Sequence, residues 1–85
     1  GGVFINCSGI GDNFSIYQNV TVGSNAKKGI PTIGNNVKIY TGSIVCGDIN
    51  VGNNVVIGAN SYIDKDLPDN SITYGAKSVV RNRYE

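Results

Sequence analysis

An aliphatic residue recurs every six positions in the middle of this chain, and this spacing constrains the fold more than any other feature of the sequence. Each block of six in residues 33–68 opens on Ile or Val, and Gly follows the opening residue in three of the six blocks. A helix repeats its apolar residues about every 3.6 positions and an ordinary strand every second position, so a period of six fits neither. An internal repeat of this kind indicates a solenoid.

A period of six returns a side chain to the same face when the chain runs a short strand, turns and runs another. Three such strands make one triangular coil, in which the first residue of each block points inward. The turns fall near Asn35, Asn36, Asn53 and Asn54, because Asn tolerates the positive φ of tight turns. The spacing predicts ten inward residues: Phe4, Ile10, Ile16, Val22, Ile33, Ile39, Val45, Val51, Ile57 and Ile63. The fifth residue of each block fills the space beside them: Val37, Ser43, Ile49, Val55, Ser61 and Leu67.

The repeat is interrupted once and then ends, and these breaks set the expected organisation. Val22 and Ile33 are eleven positions apart rather than six, which predicts an excursion loop at residues 24–32. The repeat is predicted to stop at Pro68, leaving residues 69–85 as a C-terminal cap or tail. Residues 1–85 are expected to form a single domain. Because so short a solenoid is marginal alone, we expect a C-terminal fragment of a longer, oligomeric protein.

Composition argues against several classes of protein. The formal net charge of +1 gives no basic footprint for nucleic acid, and no apolar run reaches the roughly 18 residues of a membrane-spanning helix. The chain has no histidine and only two cysteines, Cys7 and Cys46, so no metal site is expected. We interpret the cysteines as reduced thiols in a cytoplasmic protein, with a disulfide between them as the alternative.

Four stretches carry a resemblance to a known family: residues 32–37, 51–52, 57–61 and 65–68. They resemble the hexapeptide-repeat acyltransferases and are similar to the serine acetyltransferases and to the maltose and galactoside acetyltransferases. The resemblance implies an all-β fold, a single-stranded left-handed parallel β-helix with one excursion loop. It implies an O-acetyltransferase that moves an acetyl group from acetyl-CoA to the hydroxyl of a small acceptor. For a serine acetyltransferase, this reaction belongs to cysteine biosynthesis.

The same resemblance implies a catalytic histidine, and the chain supplies none. In that family a His takes the proton from the acceptor hydroxyl as the oxygen attacks the thioester. Residues 1–5 resemble the segment that follows this His, so we expect it just before Gly1. A second family His aligns with Ile30, which is a departure from the pattern. No catalytic residue is therefore assigned in this chain, and the chain alone is expected to be inactive.

The acetyl-CoA-binding residues that the resemblance implies align with residues that this chain contains. The family binds acetyl-CoA in a groove between two subunits of a homotrimer. In the maltose and galactoside acetyltransferases a small hydroxyl residue, an alanine and a lysine line this groove, and these align with Thr41, Ala59 and Lys65. The lysine suits a phosphate. Each position also has a simpler interpretation: Thr41 as a turn residue, Ala59 as a tightly packed alanine and Lys65 as a surface lysine. The excursion loop is either a solvated turn or a cover for a neighbour's groove, and Arg81 and Arg83 either form a solvated tail or meet phosphate.

Other functions stay open at this point. A sugar or polysaccharide O-acetyltransferase has the same repeat, as do a catalytically inactive structural scaffold and the β-helical tail of a sugar-nucleotide enzyme. An ice-binding β-helix would need regular rows of threonine, and the threonines of this chain make no row: Thr21, Thr32, Thr41 and Thr73.

Overall fold

The chain winds into a left-handed parallel β-helix, as the six-residue period and the resemblance predicted. We describe it from a computed structural model, which covers residues 2–24, 29–75 and 79–84. All regular structure in these residues is β. The strands are β1 (Phe4–Ile5), β2 (Gly9–Ile10), β3 (Ser15–Ile16), β4 (Thr21–Gly23), β5 (Thr32–Ile33), β6 (Lys38–Ile39), β7 (Ile44–Cys46), β8 (Asn50–Val51), β9 (Val56–Ile57), β10 (Tyr62–Ile63), β11 (Ser71–Tyr74) and β12 (Val79–Asn82).

The strands form the three flat sides of a prism. Sheet 1 has the order β1-β4-β7-β10, sheet 2 has β2-β5-β8, and sheet 3 has β12-β11-β9-β6-β3. From β1 to β10 every third strand joins the same sheet, and β11 joins sheet 3 beside β9, so successive coils pair in parallel. The exception is β12, which turns back and pairs antiparallel with β11 at the edge of sheet 3.

The inward positions build one continuous core. Seven of the ten predicted inward residues are at most 3% exposed: Val22, Ile33, Ile39, Val45, Val51, Ile57 and Ile63. The predicted fifth-place residues are buried beside them. Ile10 and Ile16 belong to the same columns, paired with Ile33 and Ile39, but they lie in the first coil and are less covered.

Phe4 was predicted to point inward, and this prediction is wrong. Ile5, not Phe4, pairs with the buried Val22, whereas Phe4 pairs with the exposed Thr21. The Phe4 side chain lies on the outer face near Gly23 and is 61% exposed. The error arises because only five positions separate the inward residues Ile5 and Ile10, so counting back by six lands one residue too early.

The last coil is shorter than the repeat, which moves Leu67 to a different place. Leu67 bridges to Val51, so it takes a first position and not the predicted fifth one. Thr73 then pairs with Ile57, so strand β11 continues the coil past Pro68. Only four positions separate Ile63 from Leu67, which is why a strict count of six misplaced it.

All changes in coil length fall at one edge of the prism. We call the edge between sheets 1 and 2 the loop corner; there the steps between inward residues are five, eleven, six and four positions. At the other two corners every step is six. The predicted excursion loop lies at the loop corner, between β4 and β5.

The edge between sheets 2 and 3 is built from stacked asparagines, and we call it the asparagine corner. Asn13, Asn36, Asn54 and Asn70 occupy equivalent places in successive coils, each with φ between 58° and 64°. Each of the first three donates from its side-chain amide to the side-chain oxygen of the next, at 3.0, 3.1 and 3.3 Å. Asn favours the left-handed backbone region, and the ladder satisfies its amide.

Gly34, at the start of the asparagine corner, must be glycine because the backbones of neighbouring coils lie close together there. A Cβ at Gly34 would lie 2.6 Å from the Gly52 carbonyl oxygen, whereas a Cβ at Gly9 would meet nothing within 4 Å. We therefore expect Gly34→Ala to lower the free energy of unfolding by about 1–3 kcal/mol, because two coil backbones must separate. Gly9→Ala is the matched control and should be neutral or slightly stabilising. Urea denaturation of both variants tests this, and equal stabilities would contradict it.

Candidate functional site

Two of the three predicted cofactor residues lie together at the edge between sheets 3 and 1. We call this edge, residues 17–20, 40–43 and 58–61, the Thr41–Ala59 corner. Thr41 and Ala59 are both exposed and occupy equivalent places in neighbouring coils, since the Asn60 N–H donates to the Thr41 carbonyl at 2.9 Å. Left-handed backbone at Asn19, Gly42 and Asn60 turns the chain there.

Beneath this corner the core contains hydroxyl groups instead of aliphatic side chains. Ser43 and Ser61, both in fifth places, donate to the Gly58 carbonyl at 2.8 and 2.7 Å. The Ser61 N–H donates to Ser43 Oγ at 3.3 Å, and Ser61 Oγ lies 3.2 Å from Thr73 Oγ1. All three residues are at most 2% exposed. Sequence reasoning noted the serines only as space-filling residues; their recurrence every 18 positions was the available signal.

Exposed apolar side chains flank the Thr41–Ala59 corner on both sides. On sheet 3 the rings of Tyr17 and Tyr40 stack, with centroids 4.8 Å apart and planes 5° apart. On sheet 1 the side chains of Ile44 and Tyr62 are exposed. Such surface suits contact with a ligand or another protein surface.

Tyr62 and Cys46 interact on the outer face of sheet 1. The Cys46 thiol donates to the Tyr62 hydroxyl at 3.4 Å. The pairing with Cys46, the negative charge of an ionised Cys46, desolvation and lastly Asp64 together raise the pKa of Tyr62 above its ordinary value of 10. Cys7 and Cys46 are both free thiols, as the first interpretation had it, and the alternative of a disulfide between them is not seen.

Lys65 is not in the same cluster as Thr41 and Ala59. It lies at the loop corner, at the far end of strand β10, and its side chain is exposed. Its neighbours in sequence are both acidic, and Asp66 Oδ1 accepts a hydrogen bond from the Asn50 N–H at 2.8 Å. A single ligand that touches all three predicted residues must therefore cross the outer face of sheet 1.

The loop and the tail are described only in part. Gly29 packs closely against Asp48 with φ of 89°, and Pro31 is buried where the chain re-enters β5. The loop residues 25–28 lie outside the described residues, as do Lys77 and Ser78 of the tail. Arg83 donates to the Asn54 carbonyl at 3.0 Å, so this arginine ties the end of the chain to the asparagine corner.

Thr41, Ala59 and Lys65 are all exposed at the surface. Two depressions among the described residues have volumes of about 430 and 260 Å³, and neither is lined by one of these three residues. The described residues contain no group of three His, Cys, Asp or Glu side chains that could hold a metal ion. Within the same residues no helix is long and apolar enough to cross a membrane. The surface can offer backbone amides, small side chains and one lysine to a ligand.

Comparison with known proteins defines the class. Residues 30–65 match the family description "Bacterial transferase hexapeptide (six repeats)". This match agrees with the prism and its six-residue steps, which define a hexapeptide-repeat β-helix fold. The next comparisons confirm the predicted resemblance to the serine acetyltransferases.

Curated relatives and solved structures agree on this likeness. The chain is 43% identical to a serine acetyltransferase of Helicobacter pylori over an alignment 79 residues long, which covers 87% of this chain and 46% of the relative. It is 46% identical to one of Staphylococcus aureus, covering 78% of this chain and 32% of the relative. A serine acetyltransferase structure from Neisseria gonorrhoeae matches with a TM-score of 0.85 and 31% identity, over 94% of this chain and 33% of that one.

A further solved structure was determined as a complex of serine acetyltransferase with CoA. It matches with a TM-score of 0.84 and 28% identity, over 94% of this chain and 34% of that one. The chain thus spans less than half the length of the curated relatives it matches.

Proposed function

We propose that the chain is the acetyl-CoA-binding part of an O-acetyltransferase, most like serine O-acetyltransferase. In this reaction the acceptor hydroxyl oxygen attacks the thioester carbonyl, the carbon–sulfur bond breaks, and the hydroxyl proton passes through a general base to the CoA sulfur. The observation that carries the proposal is the 43% identity to a serine acetyltransferase over 87% of the chain. The likeness to a serine acetyltransferase solved with CoA supports the cofactor.

The Thr41–Ala59 corner fits the pantetheine arm of CoA. That arm carries two amides, which need backbone partners, and small side chains allow it to approach the backbone closely. Thr41 and Ala59 are exposed, and the surfaces beside them are apolar. Lys65, across β10, would meet a phosphate at the other end of the ligand. The proposed cofactor-binding set is therefore Thr41, Ala59 and Lys65, with no catalytic residue and no metal in this chain.

Direct titration of CoA tests the proposal. Isothermal titration of the full chain with CoA should show saturable binding that acetyl-CoA competes away. An absence of binding at millimolar CoA would overturn it. Sequence upstream of Gly1 separates the enzyme from an inactive scaffold, since a His two or three residues before Gly1 would supply the base. Serine and sugar acceptors are then compared by the release of the CoA thiol.

We expect Lys65→Ala to weaken CoA binding more than the binding of a CoA analogue without phosphates. A lysine contributes to phosphate binding mainly by its charge, so the difference should shrink as salt is added. Lys38→Ala is the matched control, because Lys38 is an equally exposed lysine on sheet 3. The measurement is the dissociation constant of each ligand at low and high salt. Equal losses for the two ligands would place Lys65 away from the phosphates.

We further propose that the protein is a cytoplasmic homotrimer in which each groove lies between two prisms. Exposed apolar side chains on sheets 1 and 3 support this, among them Tyr17, Ile44 and Tyr62. The exposure of Thr41, Ala59 and Lys65 supports it as well, since a second prism would turn that surface into a groove. Closed cyclic symmetry is usual for homo-oligomers. Light scattering at tens of micromolar should give three copies, and a stable monomer would contradict both the trimer and the shared groove.

A further inference from the structure

The direction of every hydrogen bond in the buried hydroxyl group is fixed by the number of available protons. Ser43 and Ser61 each have one hydroxyl proton, and each donates it to the Gly58 carbonyl. Ser61 Oγ can therefore only accept at its contact with Thr73, so the Thr73 hydroxyl is the donor at 3.2 Å. Ser43 Oγ in turn accepts from the Ser61 N–H. Two of the four interactions end on the Gly58 carbonyl, and the other two end on the serine hydroxyls that donate to it.

This convergence fixes the orientation of the next backbone amide. The Gly58 carbonyl is turned into the core, where two buried hydroxyls hold it. In a trans peptide the N–H points away from the carbonyl of the same unit, so the Ala59 N–H must point outward. Among the described residues that N–H has no acceptor, and Ala59 itself is exposed. Two donors on one carbonyl also polarise the peptide and strengthen its N–H as a donor.

We propose that Ser43, Ser61 and Thr73 are positioning residues for the acyl-carrier ligand. They hold the Gly58 carbonyl inward and so present the Ala59 N–H to an amide carbonyl of the pantetheine arm. The hydroxyls never touch the ligand; they act through a single peptide unit. This inference rests on the proposed binding of CoA at the Thr41–Ala59 corner, and it assigns a task to buried groups that a purely aliphatic core would not perform.

The chain contains a matched control for this role. Ser71 is also buried, and its hydroxyl donates at 2.7 Å to the carbonyl of Pro68, three residues earlier, just as Ser61 donates to Gly58. Ser71 lies at the asparagine corner, away from Thr41 and Ala59. Ser61→Ala and Ser71→Ala therefore remove the same kind of bond from two different corners, and thermal unfolding of both variants reports the shared structural cost.

The test measures CoA and 3′,5′-ADP binding to the full chain and both variants. Ser61→Ala should weaken CoA about three- to tenfold, the effect of losing one well-placed hydrogen bond, and leave 3′,5′-ADP unchanged. Ser71→Ala should change neither ligand. Equal CoA affinities in the two variants would overturn the positioning role while leaving the proposed function intact. The same conclusion would follow if Ser61→Ala lost as much affinity for 3′,5′-ADP as for CoA. An unaltered chain that binds no CoA would overturn both.

A measurement without ligand tests the positioning role independently of the proposed CoA binding. In amide NMR spectra of the free chain, the Ala59 resonance should shift in Ser61→Ala and in Ser43→Ala, and stay in place in Ser71→Ala. Ser43→Ala serves as the second variant in case Ser61→Ala unfolds. Restoring a hydroxyl with Ser61→Thr should move the Ala59 resonance back toward its original position. An Ala59 resonance that ignores both serines would show that they do not orient this peptide.

Discussion

Replacing Ile57 by alanine is expected to lower the free energy of unfolding by about 2–5 kcal/mol. Ile57 is completely buried and sits in the middle of a column, between Ile39 in the coil before it and Thr73 in the coil after it. Removing three carbons there leaves a cavity that neither neighbouring coil can close without breaking its own backbone pairing. A loss of this size is a large share of the roughly 5–15 kcal/mol that stabilises a typical small domain.

Ile10→Ala is the control for this experiment. Ile10 also points inward, in the column of Ile33, but it lies in the first coil and is 40% exposed. Ile10 buries less apolar surface on folding than Ile57 does. Its replacement by alanine should therefore lower the free energy of unfolding by about 1.5 kcal/mol or less. Urea denaturation followed by circular dichroism compares the two variants. A loss below about half a kcal/mol for Ile57→Ala would show that Ile57 is not part of the core.

The second large effect is on catalysis. The 85-residue chain is expected to bind CoA and to transfer acetyl groups to serine at least about 10²-fold more slowly than a complete serine acetyltransferase. A positioned general base contributes about 10²–10⁴-fold to a reaction of this kind. The chain contains no histidine to act as that base. The described surface offers Thr41, Ala59 and Lys65, of which none is suited to accept a hydroxyl proton at neutral pH.

The comparison uses the Helicobacter pylori relative as the reference enzyme. Both proteins are assayed at equal concentrations of sites with acetyl-CoA and serine, and the release of the CoA thiol is followed. Titration of CoA on the same samples separates loss of chemistry from loss of binding. Transfer by the chain at a rate within tenfold of the reference would show that the base is supplied from within these 85 residues.

The sequence predicted the fold well where its period is strict. Between Ile33 and Ile63 each step is six, so counting alone identified every inward residue correctly. It failed at Phe4 and Leu67, where steps of five and four positions shift the pattern. A count cannot reveal such a step, because the length of a turn is set by backbone geometry. The adjacent Phe4 and Ile5 were the only hint, since either could have faced inward.

The candidate site was predicted in parts. Thr41 and Ala59 are 18 positions apart, which is one coil, so their proximity follows from the repeat. Lys65 is six positions after Ala59. A step of six positions leads to the next corner of the prism, and the structure places Lys65 there. The recurrence of Ser43 and Ser61 was visible in the sequence, but their hydrogen bonds under Gly58 were not predictable. These bonds depend on the directions of side chains inside the prism and on the short last coil that brings Thr73 beside Ser61.

The confinement of every length change to the loop corner has a consequence for how this fold can vary. The asparagine ladder and the buried hydroxyls hold the other two edges at a constant step, because most of the bonds described there join one coil to the next. At the loop corner, steps from four to eleven positions leave the strand register on either side intact. New segments can therefore be grafted at this edge without redesigning the core, and natural variants can gain or lose specificity there while the scaffold stays the same.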